Sequence, residues 1–497
     1  MAELDGAGSN PDVAIVGGGL AGITSAVGLL GKGYSVTVIE SDERLGGRAR
    51  SWRDEKTGDP VHIGPHILLS EYPNFFRLLD SVGSSGNVVW QDDLFVNIVD
   101  GEDLYPKRQS SWLPAPFTYL PSELKDDSYT QKDILSNLLV LFYALQMDDE
   151  DINRLDNFNA YGVLQSMGVN EAFIDSVWRF TCRAIMNMPL EYCSAGALFN
   201  FYRSFIGYSD YKVGFPKDGL GEMFAPQARE FIENHPEGEI LLETEVTELF
   251  RNNDRIEGVK LSNGSTLESD RTVVTLTVPQ LQNLLPREWR RGYSYFSELG
   301  YFEPCRYISP YIWFDRKITD MKFWARRYDY KDLNCDFYDL SNISPNVDDN
   351  RSLITSNIIY SNRIPDLSDE EIVEETLLEL SEYFPEVRDA QVRHSVVNRI
   401  PLAIHCPYPG THQRRPQPET PVEDLYLAGD WIDTGLPSSM ESAAKSGWMV
   451  AESICESDGN SASFVEPERE IDGVSRIIAD MGEWAPFRQL RKLIPPG

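Results

Sequence analysis

No two of the six cysteines, at positions 182, 193, 305, 335, 406 and 455, form a C-x-x-C pair. That excludes a thioredoxin-type motif and zinc-ribbon spacing, leaves no disulfide framework, and fits reduced thiols in the cytoplasm. Lysine is scarce as well: 13 of the 45 basic residues, against 78 acidic ones and a net charge of −33. Nucleic acid is excluded as a partner, because phosphate contacts need clustered basic side chains. Two readings of that balance stay open, a host with high internal salt or an ordinary acidic protein. Residues 1–10 carry two acids and neither a basic nor an apolar leader region, so no signal peptide is expected. The longest apolar stretch, residues 134–145, is too short to cross a bilayer and reads as a buried helix. There is no G-x-S-x-G elbow, Walker loop or protease-triad signature. His62 and His66 stand four apart, but Gly64-Pro65 separates them and no third ligand is evident, so no metal site is expected.

What is present begins at residue 13. Val13-Ala-Ile-Val-Gly-Gly-Gly-Leu-Ala-Gly22 reads as a strand, a glycine turn and the start of a helix, followed by a second strand, Ser35–Glu40. In such a βαβ unit Gly17 permits the tight turn, Gly19 lets backbone approach a pyrophosphate, and Gly22 lets helix and sheet pack closely. Leu20 and Ala21 then open the helix whose free N–H groups face the diphosphate. Glu40 ends the second strand where a carboxylate meets ribose hydroxyls, which favours an unphosphorylated adenosine ribose, as in FAD or NAD.

Beyond this unit, residues 72–82 read as a helix and 86–125 as short strands broken by prolines. Helical periodicity covers 131–147, 158–168, 170–184 and 194–206. Strands are expected over 239–250, 255–261, 272–277, 303–316, 323–330, 352–360, 391–398 and 425–430, with Asn263-Gly264 as a hairpin turn. Helices are expected over 369–383 and 438–455. The interleaving implies an α/β chain with a discontinuous Rossmann-like nucleotide domain (11–100, 215–290 and 415–456). A substrate domain of mixed sheet plus a helical layer takes 101–214 and 291–414. Residues 457–470 read as a polar linker. The tail from Val474 through Trp484, Phe487 and Leu490, with Arg488, Arg491 and Lys492, is amphipathic and interrupted by Pro486. It either packs on the protein's own body or docks on a membrane surface.

Five motifs fall together: Arg44-Leu-Gly-Gly-Arg48, Gly64-Pro-His-Ile-Leu-Leu-Ser-Glu-Tyr-Pro-Asn74, Glu245-Val246, Leu427-Ala-Gly-Asp-Trp431 and Thr434–Gly447. Together they resemble the FAD-dependent amine oxidase and phytoene desaturase superfamily over nearly all of residues 11–456. Leu427–Gly447 and Asn187–Ala195 are similar to the squalene-associated desaturases, the hydroxysqualene dehydroxylases. Gly64-x-His66 with Tyr72-Pro-Asn74, and Trp313–Lys317, are similar to plant and cyanobacterial carotene desaturases.

The resemblance implies FAD as cofactor, with Gly17, Gly19 and Gly22 on the pyrophosphate, Glu40 on the ribose and Arg48 beside the phosphates. It puts Val246 by the adenine, and Gly429 with Asp430 near the ribityl and phosphate groups. Met440, opening the last helix, is implied at the pyrimidine edge, where a helix N-terminus faces the ring. Gly64, Pro65 and His66 are implied beside the isoalloxazine, with His66 as the candidate proton donor. The aromatic stretch Phe199–Phe205 reads either as a cation-tolerant wall or as core packing.

The leading expectation is reductive dehydroxylation of hydroxysqualene, a lipophilic isoprenoid, by hydride from reduced flavin. Carotene desaturation, with hydride running the opposite way and a quinone taking the electrons, is the alternative. Amine oxidation and non-catalytic prenyl binding of the Rab escort type are the other readings; intact Glu40, Arg48 and Asp430 argue against the last. The redox partner stays open between NAD(P)H-, ferredoxin- and quinone-linked systems. The location expected is cytoplasmic, with peripheral contact to the inner face of the membrane.

Overall fold

The computed structural model of the chain describes residues 12–92, 94–252, 255–327, 331–484, 486 and 489. Val13–Val16, Val36–Ile39 and the helix between them, Leu20–Leu30, are buried throughout. That is why they read as apolar runs: parallel strands covered on both faces show no alternation. Five parallel strands stand in the order Gly238–Leu241, Val36–Ile39, Val13–Val16, Arg271–Val274, Leu425–Leu427. They come from three stretches of chain far apart in sequence. A small antiparallel sheet, Val246–Asn252, Arg255–Leu261 and Thr266–Glu268, stands beside them, the last two strands joined through Asn263-Gly264.

A second, mixed sheet runs in the order Val392–His405, Pro304–Phe314, Leu353–Asn357, Asp336–Asp339, Phe323–Arg326, Leu94–Asp100, Asp103–Arg108. Leu94–Asp100 pairs in parallel with Phe323–Arg326. Residues 94–100 thus hydrogen-bond into this sheet, not into the five-stranded one. The helical layer comprises Gln131–Ser136, Leu138–Gln146, Asp149–Leu155, Ala160–Ser166, Arg179–Met186 and Ala195–Phe205, with a π-helical turn at Ile174–Trp178.

Several elements depart from their expected extents for local reasons. The helix expected over 131–147 breaks at Asn137, a buried side chain that accepts from Trp178 Nε1 (2.9 Å) and donates to the Tyr202 hydroxyl (3.3 Å). The strand expected over 239–250 is two, because Glu243 takes a left-handed φ of 51° and redirects the chain to another sheet. The strand expected over 391–398 runs on to His405; Pro401 is tolerated where the register slips opposite Cys305 and Tyr307. Asp336–Asp339 is a strand that the pattern did not announce. Phe487, Arg488, Leu490, Arg491 and Lys492 lie outside the described residues.

Residues 457–470 are strapped to the body. Phe464 stacks on Trp448 at 5.5 Å, its carbonyl accepts from Arg77 Nη1 (2.6 Å), and Glu466 N–H donates to Asn74 Oδ1 (2.9 Å). After them, Gly473–Met481 packs on Leu138–Gln146 through Ile478 and Val474.

The start of the last helix, Met440–Ser457, is fixed from two sides. Ser439 Oγ caps it by accepting from Ser442 N–H at 3.1 Å. Glu441 accepts from the backbone and side-chain amides of Asn74 (3.1 and 2.7 Å) and from Phe75 N–H (2.8 Å). One carboxylate therefore caps the helix Pro73–Ser81 and ties the last helix to two neighbouring residues 366 and 367 positions away. Each buried donor left unsatisfied costs about 1–3 kcal/mol. Glu441→Ala should accordingly melt several degrees below the wild type in calorimetry, with Glu441→Gln between them; equal melting temperatures for Glu441→Ala and wild type would remove this anchoring role.

Candidate active site

At the turn after the first strand Gly17 takes a φ of +105°, a region open to glycine. Gly22 sits one helical turn on, where a Cβ would lie 2.0 Å from the Gly17 carbonyl oxygen, so helix and turn touch backbone to backbone. Thr275 Oγ1 donates to that same oxygen at 2.8 Å and ties the turn to the neighbouring strand. No side chain caps the helix Leu20–Leu30 at Gly19, so its first N–H groups are left for a ligand. Glu40 is held by Gly18 N–H (2.8 Å) on one oxygen and by Asp42 N–H (2.9 Å) and Ser41 Oγ (3.1 Å) on the other. These bonds fix the carboxylate at the strand end.

Opposite this turn stands an ion pair. Arg48 meets Asp430 in two contacts, Nη2 to Oδ1 at 2.5 Å and Nη1 to Oδ2 at 3.3 Å, and donates to the Ala403 carbonyl at 2.9 Å. Arg415 donates to the carbonyls of Asp430 and Leu436. Burial alone would raise the Asp430 carboxyl; the Arg48 guanidinium, with His405 and Arg415, outweighs it and holds the group below the usual carboxylate range. Arg48 was expected beside phosphates. Its guanidinium is clamped to the carboxylate that was expected beside the ribityl chain, so the two stand in the wall as one ion pair.

A single cavity of about 1330 Å³ joins these parts. Gly17, Gly19, Leu20, Ala21, Glu40, Arg48, Gly64, Pro65, His66, Val246, Gly429, Asp430 and Met440 all line it. Gly22 lies one layer behind, under Gly17. The residues present therefore fit FAD: an uncapped helix N-terminus at a glycine turn, an oriented carboxylate at the ribose position, and a second helix N-terminus at Met440 on the same cavity.

Between cradle and far end stands the segment His62–His66. Asn398 Nδ2 donates to the His62 and Ile63 carbonyls (2.8 and 3.2 Å), and Asn357 Nδ2 to that of Pro65 (3.2 Å). The seven-stranded sheet thus holds this loop. Gly64 is required there: a Cβ would come within 2.9 Å of Ser309 Oγ. His66 Nδ1 lies 2.8 Å from the Gly64 carbonyl and so carries the hydrogen in the neutral ring. Its deep setting lowers the imidazole pKa, the Gly64 bond opposing this, although the ring faces the cavity. With Nδ1–H committed to the Gly64 carbonyl, the neutral ring offers Nε2 to the cavity as an acceptor. His62, fully enclosed and 3.1 Å from the Asp218 carbonyl, is pushed down to about 4 by burial and by His66.

The far part of the cavity is aromatic: Phe95, Phe180, Phe201, Phe205, Tyr208, Tyr211 and Phe323. The stretch Phe199–Phe205 divides by helical face. Phe201 and Phe205 line the cavity, while Phe199 is buried against Trp178. Tyr307, Asp336, Tyr338 and Asn357 also line it and were not foreseen. The signal for them was faint, since Asp336 and Tyr338 belong to a strand of four residues.

Glu40→Ala removes the carboxylate expected to receive the ribose hydroxyls, together with its bond to Gly18 N–H in the turn. A hydrogen bond to a charged group contributes about 1.5–3 kcal/mol, so FAD affinity should fall roughly ten- to hundredfold in equilibrium dialysis; wild-type affinity would contradict the ribose assignment.

The chain is 27% identical over 460 residues, 89% of its length, to the 15-cis-phytoene desaturase of Synechococcus elongatus, covering 95% of that protein. It is 25% identical over 480 residues to the zeta-carotene desaturase of Synechocystis sp., covering 89% of this chain and 96% of that one. A solved structure of putrescine oxidase bound to putrescine superposes with a TM-score of 0.68 at 16% identity, over 90% of this chain and 99% of that one, a likeness of fold. A model for flavin containing amine oxidoreductases matches residues 20–455, so the chain belongs to that family and is an FAD-dependent oxidoreductase.

Proposed function

We propose that the protein dehydrogenates a long, apolar polyisoprenoid, as its carotene desaturase relatives do by name. One observation carries this reading: the cavity that begins at the cofactor cradle continues without a break into an aromatic chamber. Its volume of about 1330 Å³ is shared by cofactor cradle and chamber, and it exceeds the roughly 300–1,000 Å³ of a site for one small ligand. The segments 11–100, 215–290 and 415–456, apart from the strand Leu94–Asp100, form the cofactor domain, and the remaining core forms the substrate domain.

FAD, when bound, supplies a two-electron hydride acceptor. The chain's own residues do the rest. Gly17, Gly19 and the N-termini of the helices Leu20–Leu30 and Met440–Ser457 bind and orient the cofactor. The aromatic chamber takes up the hydrocarbon, each buried CH₂ contributing about 0.8 kcal/mol, and excludes water from the reacting carbons. Its ring faces, Phe201, Phe205 and Phe323 among them, tolerate positive charge developing on carbon. His66, a neutral ring fixed by its bond to Gly64, shapes the boundary between cradle and chamber.

Reductive dehydroxylation of hydroxysqualene stands second, supported by the Leu427–Gly447 and Asn187–Ala195 stretches. It needs a proton donor beside the leaving hydroxyl, and full-length similarity supports the desaturases instead.

A lipid surface as partner is part of the same proposal. No helix of the described residues is long and apolar enough to cross a membrane. Leu135, Leu139 and Phe142 stand exposed at three- and four-residue spacing along Gln131–Gln146. Ile477, on the helix packed against this segment, is 61% exposed, and Trp112 is 76% exposed near the Ala115 carbonyl that accepts from Val474 N–H. With a net charge of −33, attraction to anionic headgroups is not the driving force. Apolar insertion into a zwitterionic surface is.

Two measurements test these statements. Anaerobic mixing of the flavin-loaded protein with a carotene precursor in vesicles should bleach the flavin's visible absorbance, with benzylamine and polyamines inert. Bleaching by the amines alone would replace the reading with amine oxidation, and squalene accumulation in a host making hydroxysqualene would promote the second reading. Separately, a triple variant carrying Trp112→Glu, Phe142→Glu and Ile477→Glu should lose flotation with zwitterionic liposomes while keeping its flavin spectrum; undiminished flotation would discard this face as the docking surface.

A further inference from the structure

In the wall that the seven-stranded sheet contributes to the cavity, four polar side chains stand among apolar ones such as Phe95, Phe323 and Ile400. Tyr307, Asn357, Asp336 and Tyr338 lie on three adjacent strands of that sheet and all line the cavity. Asp336 stands directly across from Asn357, the side chain that reaches on to the Pro65 carbonyl. The carboxyl is therefore one residue removed from the Gly64–His66 loop, at the boundary between cofactor cradle and aromatic chamber.

Asp336 is 5% exposed. Its Oδ2 accepts from the Tyr338 hydroxyl at 3.0 Å, while Oδ1 makes no hydrogen bond of good geometry among the described residues, although the Asn357 amides lie near enough to pull on the carboxyl; the nearby Tyr307 hydroxyl makes none either. A buried carboxylate oxygen without a donor is expensive, and native structures keep few of them. The other buried acids of the cavity are committed on both oxygens: Glu40 to Gly18, Ser41 and Asp42, Asp430 to Arg48, and Glu441 to Asn74 and Phe75. Asp336 is the buried carboxyl of the described wall that keeps an oxygen without a hydrogen bond of good geometry.

We propose that Asp336 is the proton acceptor of the dehydrogenation, taking the proton from the carbon adjacent to the one that gives up hydride. This rests on the desaturation reading above. Two C–H bonds break. The first leaves with its electron pair as hydride to the oxidised flavin. The second leaves its pair behind as the new C=C bond, and its proton goes to the Asp336 carboxylate, so the substrate is oxidised by two electrons and charge balances. Hydride loss leaves positive charge on carbon, and a fixed carboxylate in a water-poor chamber stabilises it. A neutral imidazole offers no such charge, which separates Asp336 from His66.

The surrounding groups leave this carboxyl free to titrate. Arg183 faces it from the helix Arg179–Met186, Tyr307 from the strand Pro304–Phe314, and Cys335 and Tyr338 from its own segment. Burial raises the thiol and both phenols, Cys335 to about 12 and the two tyrosines well above their ordinary values. Burial likewise pushes the Asp336 carboxyl up, to about 6, against the pull of Tyr338, Asn357 and Arg183. It is thus ionised at neutral pH and close enough to neutrality to hold a proton transiently.

The experiment compares wild type, Asp336→Asn and His66→Asn, all loaded with FAD. Infrared difference spectra between pH 5 and pH 8 should show a carboxyl band titrating near 6 in wild type and absent in Asp336→Asn. Because the folded carboxyl is raised, its ionised form weakens the fold; that loss is absent below the ordinary carboxylate value of about 3.9 and complete above about 6. Asp336→Asn should therefore melt above wild type at pH 8 and level with it at pH 4. Anaerobic flavin reduction by the polyene should slow about 10²–10⁴-fold in Asp336→Asn at pH 7.5, and the inflection near pH 6 should vanish in that variant but persist in His66→Asn. A wild-type rate and profile in Asp336→Asn, loss of the inflection in His66→Asn instead, or no titrating band overturns the proposal. A wild-type protein that no polyene reduces, but whose Asp336 band titrates, overturns the polyene reading and leaves Asp336 supported as the ionising group of the cavity.

Discussion

The ion pair between Arg48 and Asp430 joins positions 382 residues apart, and the site exists only where the two ends of the chain meet. A carboxylate that is 3% exposed stays ionised because a guanidinium from the other end of the sequence stands against it. Breaking such a pair is far costlier than its net contribution suggests, since a lone buried charge remains. The five-stranded sheet makes the meeting unavoidable. Val13–Val16 and Leu425–Leu427 flank the same strand, Arg271–Val274, so the turns after the first and last strands open side by side.

From that convergence follows the electrostatics of the cradle. The helices Leu20–Leu30 and Met440–Ser457 both begin at the cavity, the first without a side-chain cap and the second capped by Ser439 Oγ at Ser442 N–H, and both point the positive end of the helix dipole at it. The chain as a whole is strongly acidic, so its outer surface repels a diphosphate. Binding one therefore depends on short-range donors, which act within a turn of helix and are little affected by distant screened charge. Local geometry, not net charge, decides what the cradle holds.

How much of this was legible in the sequence depends on how local each cause is. The glycine turn, Glu40 and the strands around them could be read directly, because strand, turn and helix follow one another within thirty residues and each residue type has a single physical reason to be there. The helix Asp369–Tyr383 was legible to its end residues, since Ser368 and Glu371 form a capping box. Asp430 and Met440 were legible only through resemblance; their position beside Gly17 is a property of the sheet. Glu243 hid the split of one strand in two, as no local pattern announces a left-handed residue that is not glycine. Asp336 was invisible for another reason. Its strand is four residues long, all buried, and takes its conformation from partners at 323–326 and 353–357 instead of from its own alternation.

The same contrast explains where the molecule departs from ideal packing. Core clusters around the five-stranded sheet and in the helical layer are filled with aliphatic and aromatic side chains. The strands Pro304–Phe314, Asp336–Asp339 and Leu353–Asn357 instead bring Tyr307, Tyr311, Asp336 and Thr355 inside with polar atoms unmatched among the described residues. A sheet selected for stability alone would carry valine or leucine at such positions, since unpaired polar groups weaken the fold. They lie in the sheet that also fixes the Gly64–His66 loop. Departures from local consistency gather at functional sites. Of the four, Tyr307 and Asp336 also line the cavity; on the desaturation reading proposed above, they give an otherwise aromatic chamber a place to put a proton.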